Sequence, residues 1–183
     1  MRDTIDERHE VAGVSVGCMT DTAPEPIFTP EDGLEELWVR AYQGEVLGEL
    51  LFGGIAEKLD DADHAAKMRV LATLEQRTKE ATAPALERAD IPTGPDPEMQ
   101  ATATALLPAA LAMSWSELMG TIGPITAQYI PLYQRIGELS PAERETAELL
   151  VAHEVALRAF ARAEIDGDRA TSLEPIVALA HMR

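Results

Sequence analysis

Residues 34–59 read LEELWVRAYQGEVLGELLFGGIAEKL. Leu34, Trp38, Ala41, Phe52, Ile55 and Leu59 recur at a spacing of three and four. That period lays apolar side chains along one face of a helix, expected over about 30–59, and has no counterpart in a strand. Glu45 and Gly48 fall in the same stripe, and Glu45 is its only charged member. Glu49 sits one turn on, at the edge. Gly48, with Gly44, costs helix propensity but lets a neighbouring helix or a ligand come close.

The same period recurs on both sides. Over 62–88 the stripe runs through His64, Met68, Leu71, Glu75, Thr78 and Leu86, and Pro84 predicts a kink. Over 141–166 it runs through Leu149, His153, Leu157, Phe160 and Glu164, with Glu154 and Arg158 beside it. Between them lie a Pro/Gly-rich linker, Ile91 to Pro97, and a third helical region over 98–138. Gly123-Pro124 predicts a break in that region, into 98–120 and 124–138. Start signals punctuate the chain at Thr29-Pro30-Glu31-Asp32, Asp60-Asp61, Asp96-Pro97-Glu98 and Ser140-Pro141-Ala142-Glu143, the last read as a full capping box. A short tail helix is expected over 172–181. The expectation is therefore all-α: an antiparallel four-helix bundle with a broken third helix and a short C-terminal helix. Residues 1–28 carry no clear period and read as an N-terminal arm, with a single bundle domain over 29–183.

Composition narrows the partners. The 183 residues hold 15 Lys and Arg against 32 Asp and Glu, a net charge of −17. Such a chain repels phosphate, which argues against nucleic acid and against an anionic membrane surface. The apolar run Ala103 to Met113 contains Pro108 and is too short to span a bilayer. The single cysteine, Cys18, excludes an intrachain disulfide and fits a reducing, cytoplasmic setting. The expected partner is a small molecule, with a homo-oligomer formed through the apolar tail as a further option.

Mid-helix polar residues carry the functional signal. An unpaired carboxylate in a core costs several kcal/mol and neutralises or finds a partner instead. Three helices each turn a metal-capable side chain, Glu45, Glu75 or His153, toward the expected bundle axis. Carboxylates plus an imidazole suit iron, manganese or zinc. The plainer alternative pairs Glu45 and Glu75 with Arg40, Arg69 or Arg77, makes Glu154 and Arg158 an exposed i,i+4 pair, and leaves His153 a hydrogen-bonded core residue. Trp115, Tyr129 and Tyr133 are placed around the expected break, as cavity walls or as core aromatics.

The order of these elements resembles the ferritin-like superfamily, which includes rubrerythrins and aldehyde-deformylating oxygenases. The resemblance rests on Ala41-Tyr42-Gln43-Gly44-Glu45, Leu74-Glu75-Gln76-Arg77-Thr78, Trp115-Ser116-Glu117-Leu118-Met119 and His153-Glu154-Val155-Ala156-Leu157. It implies a carboxylate-bridged iron or manganese centre held by Glu45, Glu49, Glu75, Glu117, His153 and Glu154, with Glu75 and His153 also catalytic. Thr78 stands where that pattern has a histidine, and no Glu-x-x-His occurs in the chain. Three functions follow as expectations. The first is a non-haem iron or other metal-dependent oxidoreductase or hydroxylase acting on a small apolar molecule. The second is a non-catalytic bundle that binds a ligand or itself. The third is a metal-independent enzyme using Glu75 or His153 for acid–base chemistry.

Overall fold

Helix α1 spans Leu34–Lys58, α2 Ala62–Arg88, α3 Pro97–Ala112, α4 Trp115–Leu139, α5 Arg144–Asp166 and α6 Glu174–Ala180. The computed structural model describes residues 27–94 and 96–180, and the chain is helical with no strand among them. The expected arm over 1–28 falls outside the described residues apart from Ile27 and Phe28, as do Cys18 and residue 181 of the expected tail helix. No described helix is long and apolar enough to cross a membrane.

The helices pair as α1 with α2 and α4 with α5. The two pairs meet through α1 against α4 and α2 against α5, α3 lies along α1, and α6 packs on α5. Short connections force these pairings: Leu59 to Asp61 joins α1 to α2, and Ser140 with the 3-10 turn Pro141–Glu143 joins α4 to α5.

Capping chemistry explains where the elements begin, and it corrects three expectations. The third helical region does not break at Gly123-Pro124, because α4 runs straight through both Pro124 and Pro131. Two glycines, Gly120 and Gly123, occupy the turn ahead of Pro124, and an added Cβ at either would meet nothing within 4 Å. The break lies instead at Ser114. Its hydroxyl accepts from the Glu117 N–H at 3.4 Å, while the Glu117 carboxylate accepts from the Ser114 N–H at 2.8 Å. This is the reciprocal capping box, and it is not at Ser140. There the Glu143 carboxylate turns away to make a bidentate pair with Arg88, both contacts at 2.7 Å, tying the end of α2 to the turn before α5. Near residue 30 the Asp32 carboxylate accepts from the Thr29 N–H and hydroxyl, so Thr29 heads a turn and α1 begins at Leu34. Asp61 and Asp96 cap α2 and α3 as their sequence contexts predict.

Two apolar clusters fill the interior. One gathers Trp38, Leu86, Leu132, Ile136 and Leu150; the other gathers Ile55, Met68, Leu71, Ile122 and Phe160. Along each long helix the residues between these clusters are polar yet buried: Glu45 on α1, Glu75 and Thr78 on α2, Thr126 on α4, His153 and Glu154 on α5. The core is thus interrupted midway by a polar belt.

Candidate functional site

The belt converges on His153, whose ring is fully buried. Its Nδ1 lies 3.6 Å from Oε1 of Glu45 and its Nε2 lies 3.3 Å from Oε1 of Glu75. Among the described residues each nitrogen faces a carboxylate at ion-pair distance, without the alignment of a regular hydrogen bond. Buried polar atoms nearly always have well-aligned partners, so a fully buried ring held only by loose contacts to two acids is unusual in a core. Glu45 is held from two further helices. The Thr78 hydroxyl on α2 donates to its Oε2, and the Tyr133 phenol on α4 donates to its Oε1 at 3.0 Å. Donor atoms of Glu45, His153 and Glu154 all lie within 4.8 Å of one another.

Glycine makes this convergence sterically allowed. A Cβ on Gly48 would sit 2.7 Å from Cδ of Glu75, and one on Gly44 would sit 2.6 Å from Cε1 of Tyr129. Any larger residue would push α2 and α4 side chains away from α1 at the level of Glu45.

The electrostatics follow from burial and from one imidazole facing several acids. Burial pushes the Glu45 carboxyl up, but the His153 charge and hydrogen bonds from His153 and Thr78 outweigh it and hold the group below its ordinary value. Burial would lower His153, yet Glu45 and Glu75 raise it well above the ordinary imidazole value. Glu75 is pushed up to about 7, by burial first and by the Glu45 charge against the pull of His153. Glu154 goes well up for the same reasons, burial leading. Burial also lifts Tyr129 to about 12 and Tyr133 well above the ordinary phenol value. The directions set a charged His153 against an ionised Glu45, with Glu154 biased toward its protonated form.

A cavity of about 160 Å³ opens beside the belt. Its inner end is formed by Glu45, Glu75, Glu154, Tyr129 and Tyr133, and its walls are mainly aliphatic side chains of α1 and α4. Leu106 of α3 and Ile125 of α4 stand at its rim, 44% and 52% exposed.

The residues singled out in the sequence separate into two groups. Glu45, Glu75, His153 and Glu154 come together. Glu49 does not: its carboxylate pairs with Lys79 near the surface. Nor does Glu117, which is exposed at the start of α4 and committed to the cap of Ser114. The arginine pairing of Glu45 and Glu75 is absent among the described residues; Arg40 instead pairs with Asp32. Glu154 is buried against the belt and is not part of an exposed pair with Arg158. Trp115 lies away from the cavity, stacked on His64 at 3.8 Å and donating through Nε1 to Glu164 at 2.8 Å. Tyr129 and Tyr133 do line the cavity, as one of the two readings of these aromatics expects. Thr78 is not among the expected site residues; a threonine inside the α2 stripe is the available signal. Compared with protein-family models, with curated proteins and with solved structures, the chain has no match.

Proposed function

We propose that the chain is a ferritin-like helical-bundle protein that binds one divalent transition-metal ion. Glu45, His153 and Glu154 would hold it. The protein then acts as a metal-dependent oxidoreductase or hydroxylase on a small apolar molecule in the adjoining cavity. In this reading α1, α2, α4 and α5 are the four helices of the bundle and α3 is an added cover. One observation carries it: a fully buried imidazole, without a well-aligned hydrogen bond at either nitrogen, has carboxylates from two helices in ligand range. Two carboxylates and one imidazole form a donor set for iron or manganese. Thr78 and Leu150 occupy positions where the ferritin-like pattern has further ligands, which supports one ion and not a bridged pair.

When bound, such an ion supplies redox chemistry or polarises a substrate oxygen. The chain's own residues do the rest. Thr78 and Tyr133 fix the Glu45 carboxylate. Glu75 faces Nε2 of His153 and orients the ring, the role that carboxylates serve behind metal-bound histidines. The aliphatic walls keep water from the reacting face. A second reading, acid–base catalysis without metal, is favoured by Glu75 alone, a cavity-lining acid that titrates near neutrality.

Titration of chelator-treated protein with Mn²⁺ and, without oxygen, Fe²⁺ separates the two. The metal reading expects one ion per chain and a melting temperature raised by about 5–10 °C at a hundredfold excess over Kd. No uptake, with turnover that persists in chelator, overturns it in favour of the second.

A further inference from the structure

Glu75 is an acid that the proposed ion leaves over, and it lines the cavity. Its Oε1 faces His153, while its Oε2 and Cδ lie against Gly48 at the cavity wall. The chamber has an unusual charge pattern. Three carboxylates, Glu45, Glu75 and Glu154, form its inner end, and no lysine or arginine is among the residues lining it. The proposed ion would take Glu45 and Glu154, and the Glu75 carboxyl is left at the chamber wall with no cationic side chain in the lining. Buried charge that is unbalanced is costly and draws either a proton or a cation. A carboxylate-headed ligand would add to the excess, and a neutral ligand would leave it.

Size sets the other bound. An apolar cavity of about 150 Å³ takes a molecule as large as benzene. The 160 Å³ here therefore admits roughly six carbons beyond the rim of Leu106 and Ile125. The walls between rim and acids are mainly aliphatic, with Thr121 and Thr126 the hydroxyl-bearing exceptions. A ligand that fits has an apolar body of about that length and a head that carries positive charge.

We propose that the cavity binds a short aliphatic primary amine, of about four to six carbons, with its ammonium group on Glu75 and its chain toward Leu106 and Ile125. This names the substrate class of the proposed metal site. It rests on that reading for its charge balance, and on the cavity alone for its size and for its lack of a cationic wall.

The test uses the full chain and four probes: n-butylamine, n-hexylamine, n-hexanol and hexanoate, titrated by calorimetry into Mn²⁺-loaded and into chelator-treated protein. Hexylamine is expected to bind at least about tenfold more tightly than hexanol, and hexanoate not measurably. The preference is expected to be largest in the Mn²⁺-loaded protein and to persist, weaker, in the chelator-treated form, because no lysine or arginine lines the cavity in either. E75Q should bring hexylamine down to the affinity of hexanol without weakening hexanol. Ile125→Trp, at a rim position that is 52% exposed, should block both, with an unchanged far-UV spectrum showing that the variant is folded. Hexanol or hexanoate binding as tightly as hexylamine overturns the proposal, as does an amine preference that survives E75Q or binding that survives Ile125→Trp. If Mn²⁺ fails to bind but the amine preference holds, the metal reading falls and the ligand class stands. If Mn²⁺ binds and the preference is missing, the reverse is true.

Discussion

The Thr78 hydroxyl on α2 donates to the carboxylate of Glu45 on α1, joining two helices through a fully buried acid. The same hydroxyl also lies 3.0 Å from the carbonyls of Leu74 and Glu75, one turn back on its own helix. A threonine inside a helix commonly bonds back to its own carbonyls and gains little from it. Here the bond to Glu45 is charge-assisted and stabilises an ion that burial disfavours.

Replacing Thr78 with valine keeps the shape and removes the donor. Removing one partner of a buried, charged acceptor costs about 1–3 kcal/mol. Thr78→Val should therefore lower the melting temperature by several degrees, and Thr78→Ser should not. Tyr133→Phe removes the other donor to Glu45 and should act in the same direction. Thermal denaturation of the three variants and of Thr78→Val with Tyr133→Phe decides it. Strict additivity in the double variant would mean that the two donors do not share Glu45.

The helical period alone placed α1, α2 and α5 close to their observed limits, because each carries a long stripe ended by Asp, Gly or Pro. It also exposed Glu45, Glu75 and His153, since a charge in an apolar stripe is visible without coordinates. What it missed was competition between local signals. Ser114-Trp115-Ser116-Glu117 is an S-x-x-E box in plain view, yet Gly123-Pro124 looked the stronger break. Proline inside a helix costs a backbone hydrogen bond but need not end it, and α4 continues through both Pro124 and Pro131. The resemblance that makes Glu117 a ligand overlooks the same box, and a carboxylate closing a cap cannot also reach the bundle interior. The convergence of the donors is a tertiary fact, fixed by helix pairing and by the absence of side chains at Gly44 and Gly48.

Glu117 and Glu154 should therefore separate cleanly. Glu154→Gln removes a donor of the belt and should weaken Mn²⁺ binding by at least the 10–100-fold that follows loss even of a group supporting a ligand. Glu117→Gln should leave Mn²⁺ affinity unchanged. Its cost is a weakened cap, at most about 0.5–2 kcal/mol. Calorimetric titration of both variants is the check, and equal effects on affinity would place Glu117 back among the ligands.

Glycine substitutions should have opposite signs along α1. In a helix interior alanine is favoured over glycine by about 1 kcal/mol. At Gly53 an added Cβ meets nothing within 4 Å, so Gly53→Ala should stabilise by about that amount. At Gly44 it would drive into the ring of Tyr129 at 2.6 Å, and the ring is packed beside Tyr133 with centroids 5.9 Å apart. Gly44→Ala should be destabilising despite its better propensity, by the roughly 1–3 kcal/mol typical of overpacking. Urea unfolding of the two variants tests this, and stabilisation by both would show that α1 and α4 are not in close contact at the belt.

At the α6 end of the core, a second buried charge pair sets an acid limit on stability. Lys67 lies 2.8 Å from Oε1 of Glu164, whose other oxygen accepts from Nε1 of Trp115. Burial pushes the Glu164 carboxyl up, but hydrogen bonds from Lys67, Ser172 and Trp115, with the Lys67 charge, more than offset it and leave the group below its ordinary value. A carboxyl lowered on folding contributes stability above its unfolded-state value, and that contribution is lost as pH falls through the lowered folded value. Lys67 is the mirror image: burial lowers it, but Asp63 and Glu164 raise it overall. Its contribution is present below the ordinary lysine value and lost as pH rises through the raised one. Glu164→Gln should therefore cost stability at neutral pH and flatten the fall on the acid side. The readout is the urea midpoint between about pH 6 and pH 3, followed by tryptophan fluorescence, to which Trp115 reports directly. If the variant and the parent lose stability with the same slope over that range, Glu164 is not ionised in the folded chain, and the contact with Lys67 is a neutral hydrogen bond.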